Sequence, residues 1–127
     1  RKLNLDLNLG IDIVAMPTIR EFDGLAMSSR NSYLSSSERA AATVLHQSLE
    51  SAITMYNNGQ RSPMTIKKHV EEMILREKLA KIDYISIANI KSLNELTEIN
   101  SPCLLSIAVY IGNTRLIDNV ILGAEKL

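Results

Sequence analysis

The chain has 127 residues, of which 46% are hydrophobic and 22% are charged. This composition is typical of a folded domain and excludes a disordered protein, and the length suits a domain with its own core. Fourteen basic and fourteen acidic side chains cancel, so no net positive field would attract nucleic acid or an anionic membrane surface. We therefore expect no nucleic acid and no membrane among its partners.

The cellular compartment is predicted from what the sequence lacks. No run of about 18 apolar residues is present, and the first residues do not resemble a secretory signal. Cys103 is the single cysteine, so no internal disulfide is possible, and its apolar neighbours predict a buried thiol. These features predict a cytoplasmic protein.

The pattern of the first residues is that expected at the end of a domain separate from the rest of the chain. Residues Arg1 to Asn8 fit either the last turns of a helix or a strand, because leucines stand at every second position. Residues Ile11 to Met16 are mostly apolar and β-branched and are followed by Pro17, as in a strand buried in a parallel sheet. The rest of such a sheet is not in the sequence, so we expect this chain to be a fragment.

Two helices are predicted in the middle of the chain. Ser35 and Glu38 have the spacing of a capping box, and apolar residues then recur every three or four positions until Asn57-Asn58-Gly59. Ser62 followed by Pro63 begins the second helix. Its inner face is predicted to carry Met64, Ile66, Val70, Met73, Ile74 and Leu79. Its outer face is predicted to carry Lys67, Lys68, Glu71, Glu72, Arg76 and Glu77.

The remainder is predicted to be β. Apolar and polar residues alternate over Ile82–Ile90 and Leu104–Ile111. The short connection Gly112-Asn113-Thr114 predicts that Arg115–Leu122 returns antiparallel in a hairpin. The predicted fold class is α+β, with a three-stranded antiparallel sheet and two helices on one face, preceded by the leftover strand.

A polar loop lies between the leftover strand and the first helix. Its sequence is Gly24-Leu25-Ala26-Met27-Ser28-Ser29-Arg30-Asn31. Two adjacent hydroxyls, backbone N–H groups left free by a turn, and a planar guanidinium can converge on one group of anionic oxygens. The loop therefore indicates phosphate binding, and a solvated surface loop is the alternative interpretation.

Two long runs carry a family resemblance. The segment Asp12 to Leu34 and the run from Gly112 to Asn119 (Gly-Asn-Thr-Arg-Leu-Ile-Asp-Asn) closely resemble the pantothenate synthetase (pantoate–β-alanine ligase) family. The resemblance implies ATP-dependent ligation of pantoate and β-alanine to pantothenate through a pantoyl-adenylate, with release of AMP and pyrophosphate. It also implies that Mg²⁺ assists this reaction. A homodimer is expected as well.

The resemblance also implies a division of the chain. Residues 1–19 would be the C-terminal remnant of a Rossmann-like nucleotidyltransferase domain, which makes Ile11–Met16 its leftover strand. Residues 20–34 would be the ATP-binding loop and linker, and residues 35–127 the C-terminal lid domain. Gly24 would act as the hinge of the loop.

The resemblance further implies the site residues. Met27-Ser28-Ser29-Arg30 matches the family's counterpart of the KMSKS loop of class I aminoacyl-tRNA synthetases. Ser28 and Ser29 would bind the ATP phosphates, and Met27 would lie near the nucleotide. Arg30 would stabilise the charge that develops on the leaving pyrophosphate. The backbone of Ile19 would contact adenine, and no metal ligand is predicted.

Other motifs of the family would lie upstream of Arg1: its histidine-containing phosphate motif, its pantoate-binding glutamines and its lysine-bearing loop. We therefore expect the chain alone to bind ATP weakly and to make no pantothenate. Two alternatives remain at this point. One is the lid of a different adenylate-forming nucleotidyltransferase, and the other is a non-catalytic α+β module that forms oligomers.

Several other polar residues are predicted to be structural or solvated. His46 and His69 lack neighbours at metal-ligand spacing, so we expect surface histidines. Arg115 and Asp118 are three residues apart on a strand and point to opposite faces. We expect them to be structural, for instance by tying the hairpin to the loop region. The carboxylates expected to be merely solvated are Glu71, Glu72, Glu95 and Glu98.

Overall fold

A computed structural model of the chain describes residues 19–123. A 3₁₀ helix at Ser29–Tyr33 is followed by three α-helices and three strands. The helices are α1 (Ser36–Ala41), α2 (Thr43–Asn57) and α3 (Pro63–Leu75), and the strands are β1 (Ala80–Asn89), β2 (Cys103–Ile111) and β3 (Thr114–Leu122). The elements predicted over Arg1–Asn8 and Ile11–Met16 lie outside the described residues.

The three strands form one antiparallel sheet in the order β1-β2-β3. Helix α2 packs on β2 and β3, and α3 packs on β1. The three-stranded sheet and its two long helices confirm the predicted α+β fold. The hairpin is also confirmed, since Gly112 adopts a φ of 59° at the turn between β2 and β3.

The start of the helical region follows the predicted capping box, but the first helix is not continuous. The Ser35 hydroxyl accepts the Glu38 N–H, and the Glu38 carboxylate accepts the Ser35 N–H. The helix is then interrupted at Ala42, which separates α1 from α2. The Thr43 hydroxyl donates to the Ala40 carbonyl at 2.8 Å. Such side-chain bonds compete with the helical ladder and bend helices, which accounts for the break.

Helix α2 ends as predicted. Asn58 is its C-cap, Gly59 has a φ of 102°, and the Gly59 N–H donates to the Tyr56 carbonyl. Helix α3 also begins as predicted, because the Ser62 hydroxyl accepts the Thr65 N–H and Pro63 occupies the first turn.

The predicted inner face of α3 is wrong at both ends. Ile66, Val70 and Ile74 are fully buried, whereas Met64 is 77% exposed and Leu79 is 41% exposed. Met64 lies two positions from Ile66, which is about 200° around a helix, so the two cannot share a face. Leu79 lies beyond the end of α3, and its carbonyl accepts the Gly112 N–H.

The centre of the core is formed by β2. The side chains that alternate along its inner face are completely buried: Cys103, Leu105, Ile107, Val109 and Ile111. The prediction that Cys103 is buried is confirmed, and this burial raises the pKa of its thiol. Strand β1 changes register between Ile82 and Tyr84.

Glu95 has more contacts than a solvated carboxylate, contrary to the prediction. It accepts hydrogen bonds from Lys67 of α3 at 3.0 Å, from the Ser86 hydroxyl at 2.6 Å and from the Ile87 N–H at 2.9 Å. These donors lower the pKa of Glu95 against the opposing effect of desolvation, which is the largest single contribution. Glu95 therefore joins α3 to the outer edge of β1.

We expect the inner face of the sheet to carry most of the stability. Ile107→Ala on β2 removes a fully buried side chain and should lower the free energy of unfolding by about 2–5 kcal/mol. The matched control is Ile117→Ala on β3, whose side chain is 54% exposed and whose loss should cost about 1 kcal/mol or less. Urea denaturation followed by circular dichroism measures both. Equal losses would contradict this assignment of the core.

Candidate functional site

The loop that precedes α1 has a defined backbone. We call residues 20–34 the site loop. Arg20 and Ala26 form an antiparallel bridge, and the Glu21 N–H donates to the Leu25 carbonyl at 2.8 Å. The Met27 N–H donates to the Ile19 carbonyl at 2.9 Å. These bonds place the predicted residues Ile19 and Met27 side by side at the base of a closed turn.

Gly24 lies at the tip of this turn. Its φ is 94°, and a Cβ at this position would overlap the ring of His46 from α2. The structure thus gives two static reasons for this glycine, a positive φ and a close approach to a side chain. Neither of them requires the hinge motion that the sequence suggested.

The two histidines are not simple surface residues, contrary to the prediction. The His46 side chain is only 25% exposed and lies 3.8 Å from the Glu50 carboxylate through Nε2. Its Nδ1 is buried and has no hydrogen-bond partner within residues 19–123. His69 is half-buried and shares a hydrogen bond with the Ser51 hydroxyl. His46 therefore supports the site loop, and His69 joins α3 to α2.

Arg20 fastens the site loop to β3. Its Nη1 lies 2.6 Å from Asp118 Oδ2 and its Nη2 lies 3.0 Å from Asp118 Oδ1. The same Nη1 donates to the Gly24 carbonyl at 3.0 Å. The Asp118 side chain is only 2% exposed. This bidentate pair confirms that Asp118 ties the hairpin to the loop region, and Arg115 instead pairs with Asp83 at 3.0 Å.

Arg39 of α1 fastens the other side of the turn. Its Nη1 and Nη2 lie 2.8 Å and 2.9 Å from the two carboxylate oxygens of Asp23, and Nη2 also donates to Glu21. The hydrogen bond from Arg39 lowers the pKa of Asp23. Sequence reasoning missed both arginines, because their partners are remote in sequence.

The predicted ATP-site residues from Met27 to Arg30 follow directly after this turn. Met27, Ser28, Ser29 and Arg30 are all exposed. The Ser28 hydroxyl accepts the Arg30 N–H at 3.1 Å and thereby caps the 3₁₀ helix. Because a hydroxyl also has one hydrogen to donate, Ser28 can still donate to a ligand. The structure therefore presents two hydroxyls and a guanidinium to solvent from one short segment.

A cavity of about 270 Å³ lies between the site loop and β3. Of the five predicted site residues, Met27, Ser28 and Arg30 line it, whereas Ile19 and Ser29 do not. Leu45 and the β3 residues 115–119 complete its walls. Among the described residues that line the cavity, Asp118 is the one acidic residue, and its carboxylate is paired with Arg20. The cationic Arg30 on the wall therefore favours an anionic ligand.

Asn31 is a cavity residue that the sequence prediction left out. Its side-chain amide donates to the Ala26 carbonyl at 3.0 Å. Its Oδ1 is buried without a hydrogen-bond partner in the part of the chain that the structure describes. Such an acceptor costs free energy unless a donor reaches it, so Oδ1 can accept a hydrogen bond from a ligand in this cavity.

Residues 19–123 contain no group of three or more His, Cys, Asp or Glu side chains that could hold a metal ion. Within the same residues, no helix has both the length and the apolar character needed to cross a bilayer.

Fold and site together define a small α+β domain that presents a polar, arginine-fastened loop beside a cavity suited to an anion. The chain belongs to the pantoate-beta-alanine ligase family, whose model matches residues 1–121.

The similar proteins reported below are more than twice as long as the segment that matches this chain. The pantothenate synthetase of Carboxydothermus hydrogenoformans is 49% identical over 124 residues, which cover 98% of this chain and 44% of that protein. That of Clostridium acetobutylicum is 50% identical over 119 residues, covering 94% of this chain and 42% of that protein. The chain thus spans less than half the length of these relatives.

Two solved structures share the fold. The pantothenate synthetase of Thermus thermophilus matches with a TM-score of 0.85 and 31% identity, over 94% of this chain and 43% of that chain. The pantoate-beta-alanine ligase of Francisella tularensis, complexed with beta-gamma ATP and beta-alanine, matches with a TM-score of 0.57 and 24% identity. The match to the Francisella ligase covers 98% of this chain and 38% of the ligase chain.

The contact between Gly24 and His46 can be tested with a matched pair of glycines. Gly24 and Gly59 have similar positive φ values of 94° and 102°, but a Cβ at Gly59 would meet nothing within 4 Å. Gly59→Ala should therefore cost only the backbone penalty of about 1–2 kcal/mol. Gly24→Ala should cost about 1–3 kcal/mol more, because the methyl group overlaps the imidazole. Urea unfolding measures the free energy of unfolding of both variants. In a His46→Ala background, Gly24→Ala should cost no more than Gly59→Ala. Equal costs of the two glycine substitutions in the unsubstituted chain would refute the contact.

The Asp23–Arg39 pair predicts a pH dependence of stability. The pKa of Asp23 is lowered in the folded state, so the folded protein binds fewer protons than the unfolded chain. The resulting stabilisation is complete above the ordinary pKa of about 3.9 and is lost as pH falls through the lower, folded value. In urea titrations from pH 6 to pH 2.5, Asp23→Asn and Arg39→Gln should both show a shallower loss of stability than the unsubstituted chain. Unchanged slopes would contradict the pair.

Proposed function

We propose that this chain supplies the ATP-phosphate-binding lid of a pantoate–β-alanine ligase. In this proposal residues 1–19 end a nucleotidyltransferase domain, residues 20–34 carry the phosphate-binding loop, and residues 35–127 form the lid domain. The reaction is ATP-dependent ligation of pantoate and β-alanine to pantothenate through a pantoyl-adenylate, with release of AMP and pyrophosphate. Family membership and the names of the relatives support this reaction. We further propose that the protein acts in the cytoplasm and as a homodimer.

The observation that carries the proposal is the display of Ser28, Ser29 and Arg30 from a loop held on both sides. When a carboxylate attacks the α-phosphorus of ATP, negative charge spreads over the transferring and departing oxygens. Donors that are already oriented stabilise such charge without reorganising during the reaction. Arg20 and Arg39 fix the turn just before Met27, so the donors begin close to a fixed geometry.

Each proposed group has a distinct task. The Ser28 and Ser29 hydroxyls donate hydrogen bonds to phosphate oxygens, and Met27 packs near the nucleotide. Arg30 offers a planar fork of N–H donors that suits two phosphate oxygens at once, and it stabilises the pyrophosphate as it leaves. The Ile19 backbone contacts adenine, although its carbonyl already accepts the Met27 N–H.

The chain provides only part of a site. Pockets that enclose a whole small ligand commonly measure about 300–1,000 Å³, whereas the cavity beside the site loop measures about 270 Å³. Because the chain spans less than half the length of its relatives, we assign the other contacts to ATP, pantoate and β-alanine to a nucleotidyltransferase body, and we expect the chain by itself to bind ATP weakly and to make no pantothenate. The solved Francisella ligase is a complex with beta-gamma ATP and beta-alanine. These ligands correspond to two of the three substrates in our proposal.

The proposed reaction implies Mg²⁺, and its fit can be tested on the described residues. No carboxylate cluster suited to Mg²⁺ occurs within residues 19–123, and Asp118, the acidic residue that lines the cavity, is engaged by Arg20. The described residues therefore do not provide a magnesium site, and we assign no step to the ion.

A chimaeric enzyme tests the proposal. This chain replaces the matching segment of the Carboxydothermus pantothenate synthetase, and pantoate-dependent ATP–pyrophosphate exchange is measured. Arg30→Ala should lower the exchange rate about 10²- to 10³-fold, the usual cost of one preorganised donor. Its effect on unfolding should stay within about 0.5 kcal/mol, since the side chain is exposed.

A matched control sharpens this test. Arg76→Ala removes an exposed arginine at the end of α3 and should leave the exchange rate unchanged. The alternative that the lid serves a different adenylate-forming enzyme needs a full-length protein that contains this chain, in which the carboxylic acid that supports ATP–pyrophosphate exchange is identified. Exchange by the Arg30→Ala chimaera at the unsubstituted rate would refute the assigned role of Arg30.

A further inference from the structure

Asp118 is an unusual residue for its position. Its neighbours on the inner face of β3 are the buried Leu116 and the half-buried Val120, and its cross-strand partner is the fully buried Ile107. Among the described residues, it is the one charged side chain that is buried. Apolar side chains of similar size are often as stabilising as a buried ion pair, or more so. Stability alone therefore does not explain a carboxylate here.

The bonds of Asp118 explain it better, because they lead to the site loop. One carboxylate oxygen accepts Arg20 Nη1, and the other accepts Arg20 Nη2 and the N–H of Asn119 at 2.8 Å. The bond to Asn119 fixes the carboxylate on its own strand. Arg20 Nη1 also donates to the Gly24 carbonyl. The guanidinium thus holds the strand and the tip of the turn with a single planar group.

This arrangement controls where the proposed ATP-binding segment stands. Arg20 is bridged to Ala26, and Met27, Ser28 and the residues after them follow without a flexible spacer. The β3 residues 115–119 form the opposite wall of the cavity. The Arg20–Asp118 contact therefore links that wall to the turn from which the hydroxyls and the guanidinium of the loop follow.

We propose that Asp118, acting through Arg20, is a positioning residue that sets the orientation in which the site loop presents Ser28, Ser29 and Arg30 to the ATP phosphates. This inference rests on the proposed function for the identity of the ligand. The geometric part of it concerns the chain alone and can be tested without ATP.

The first test measures amide hydrogen exchange in the 127-residue chain. Asp118→Asn weakens the pair with Arg20, so the bonded amides of Glu21 and Met27 should exchange at least about tenfold faster. The amides of Val70 and Ile74 in α3 should not change. The matched control is Glu95→Gln, which removes a carboxylate that joins elements at the opposite edge of the sheet and should leave the loop amides unchanged. Unaltered loop amides in Asp118→Asn would overturn the inference.

A second variant covers the case in which Asp118→Asn fails to fold. Arg20→Met with Asp118→Leu replaces the ion pair by apolar groups, a change that commonly preserves stability. It also removes the bond to the Gly24 carbonyl. The inference expects a stable protein whose loop amides exchange as fast as those of the single variant. Loop amides as slow as in the unsubstituted chain would show that the pair does not position the loop.

The second test uses the chimaera and separates positioning from a general structural effect. Asp118→Asn should lower ATP–pyrophosphate exchange about ten- to hundredfold, the scale expected when catalytic groups are misplaced. In the Arg30→Ala background the same change should cost less, because one of the three groups being positioned is already absent. An equal fold loss in both backgrounds would overturn the inference. An Arg30→Ala chimaera with full activity would refute the role that the proposed function gives to Arg30, whereas unchanged loop amides refute the positioning role alone.

Discussion

The pair between Arg20 and Asp118 is the constraint on which the arrangement of the site depends. It joins residues 98 positions apart in the chain and connects the site loop to the edge strand of the sheet. A loop of this kind would otherwise sample many conformations, since ordering each residue costs about 1–2 kcal/mol of backbone entropy. The bidentate geometry fixes a direction as well as a distance, because both nitrogens of the fork are engaged. A single point charge would leave the loop free to rotate.

The sheet and helices serve as the rigid support for this constraint. Five fully buried side chains on β2 hold the strands against α2 and α3, so β3 and α2 form fixed surfaces on two sides of the turn. Asp118 projects from one of these surfaces, and His46 projects from the other beneath Gly24. Arg39 approaches from α1, which begins at the Ser35 capping box. Function carried on a loop needs such support from regular elements, and three separate elements provide it here.

Local signals predicted most of the fold, and non-local contacts account for what was missed at the site. Ser35, Gly59 and Ser62 act within a few residues of their own position, so helix starts and stops could be recognised from the sequence. The two-residue period of a strand correctly separated Arg115 from Asp118. The partners of Arg20 and Arg39 lie far from them in the sequence and depend on the folded chain. No sequence spacing could reveal these contacts, and they are the ones that shape the site.

The exposure of the proposed phosphate ligands fits the function of a lid. In the chain as described, Ser28, Ser29 and Arg30 face water, where a charged hydrogen bond contributes little because solvent competes and screens it. The same groups gain strength when a second surface closes over them and excludes water. In our proposal that surface is the nucleotidyltransferase body, so the contribution of the loop is realised only in the closed complex. A loop fixed by the buried Asp118 and still open to solvent can add its donors at closure without first having to fold.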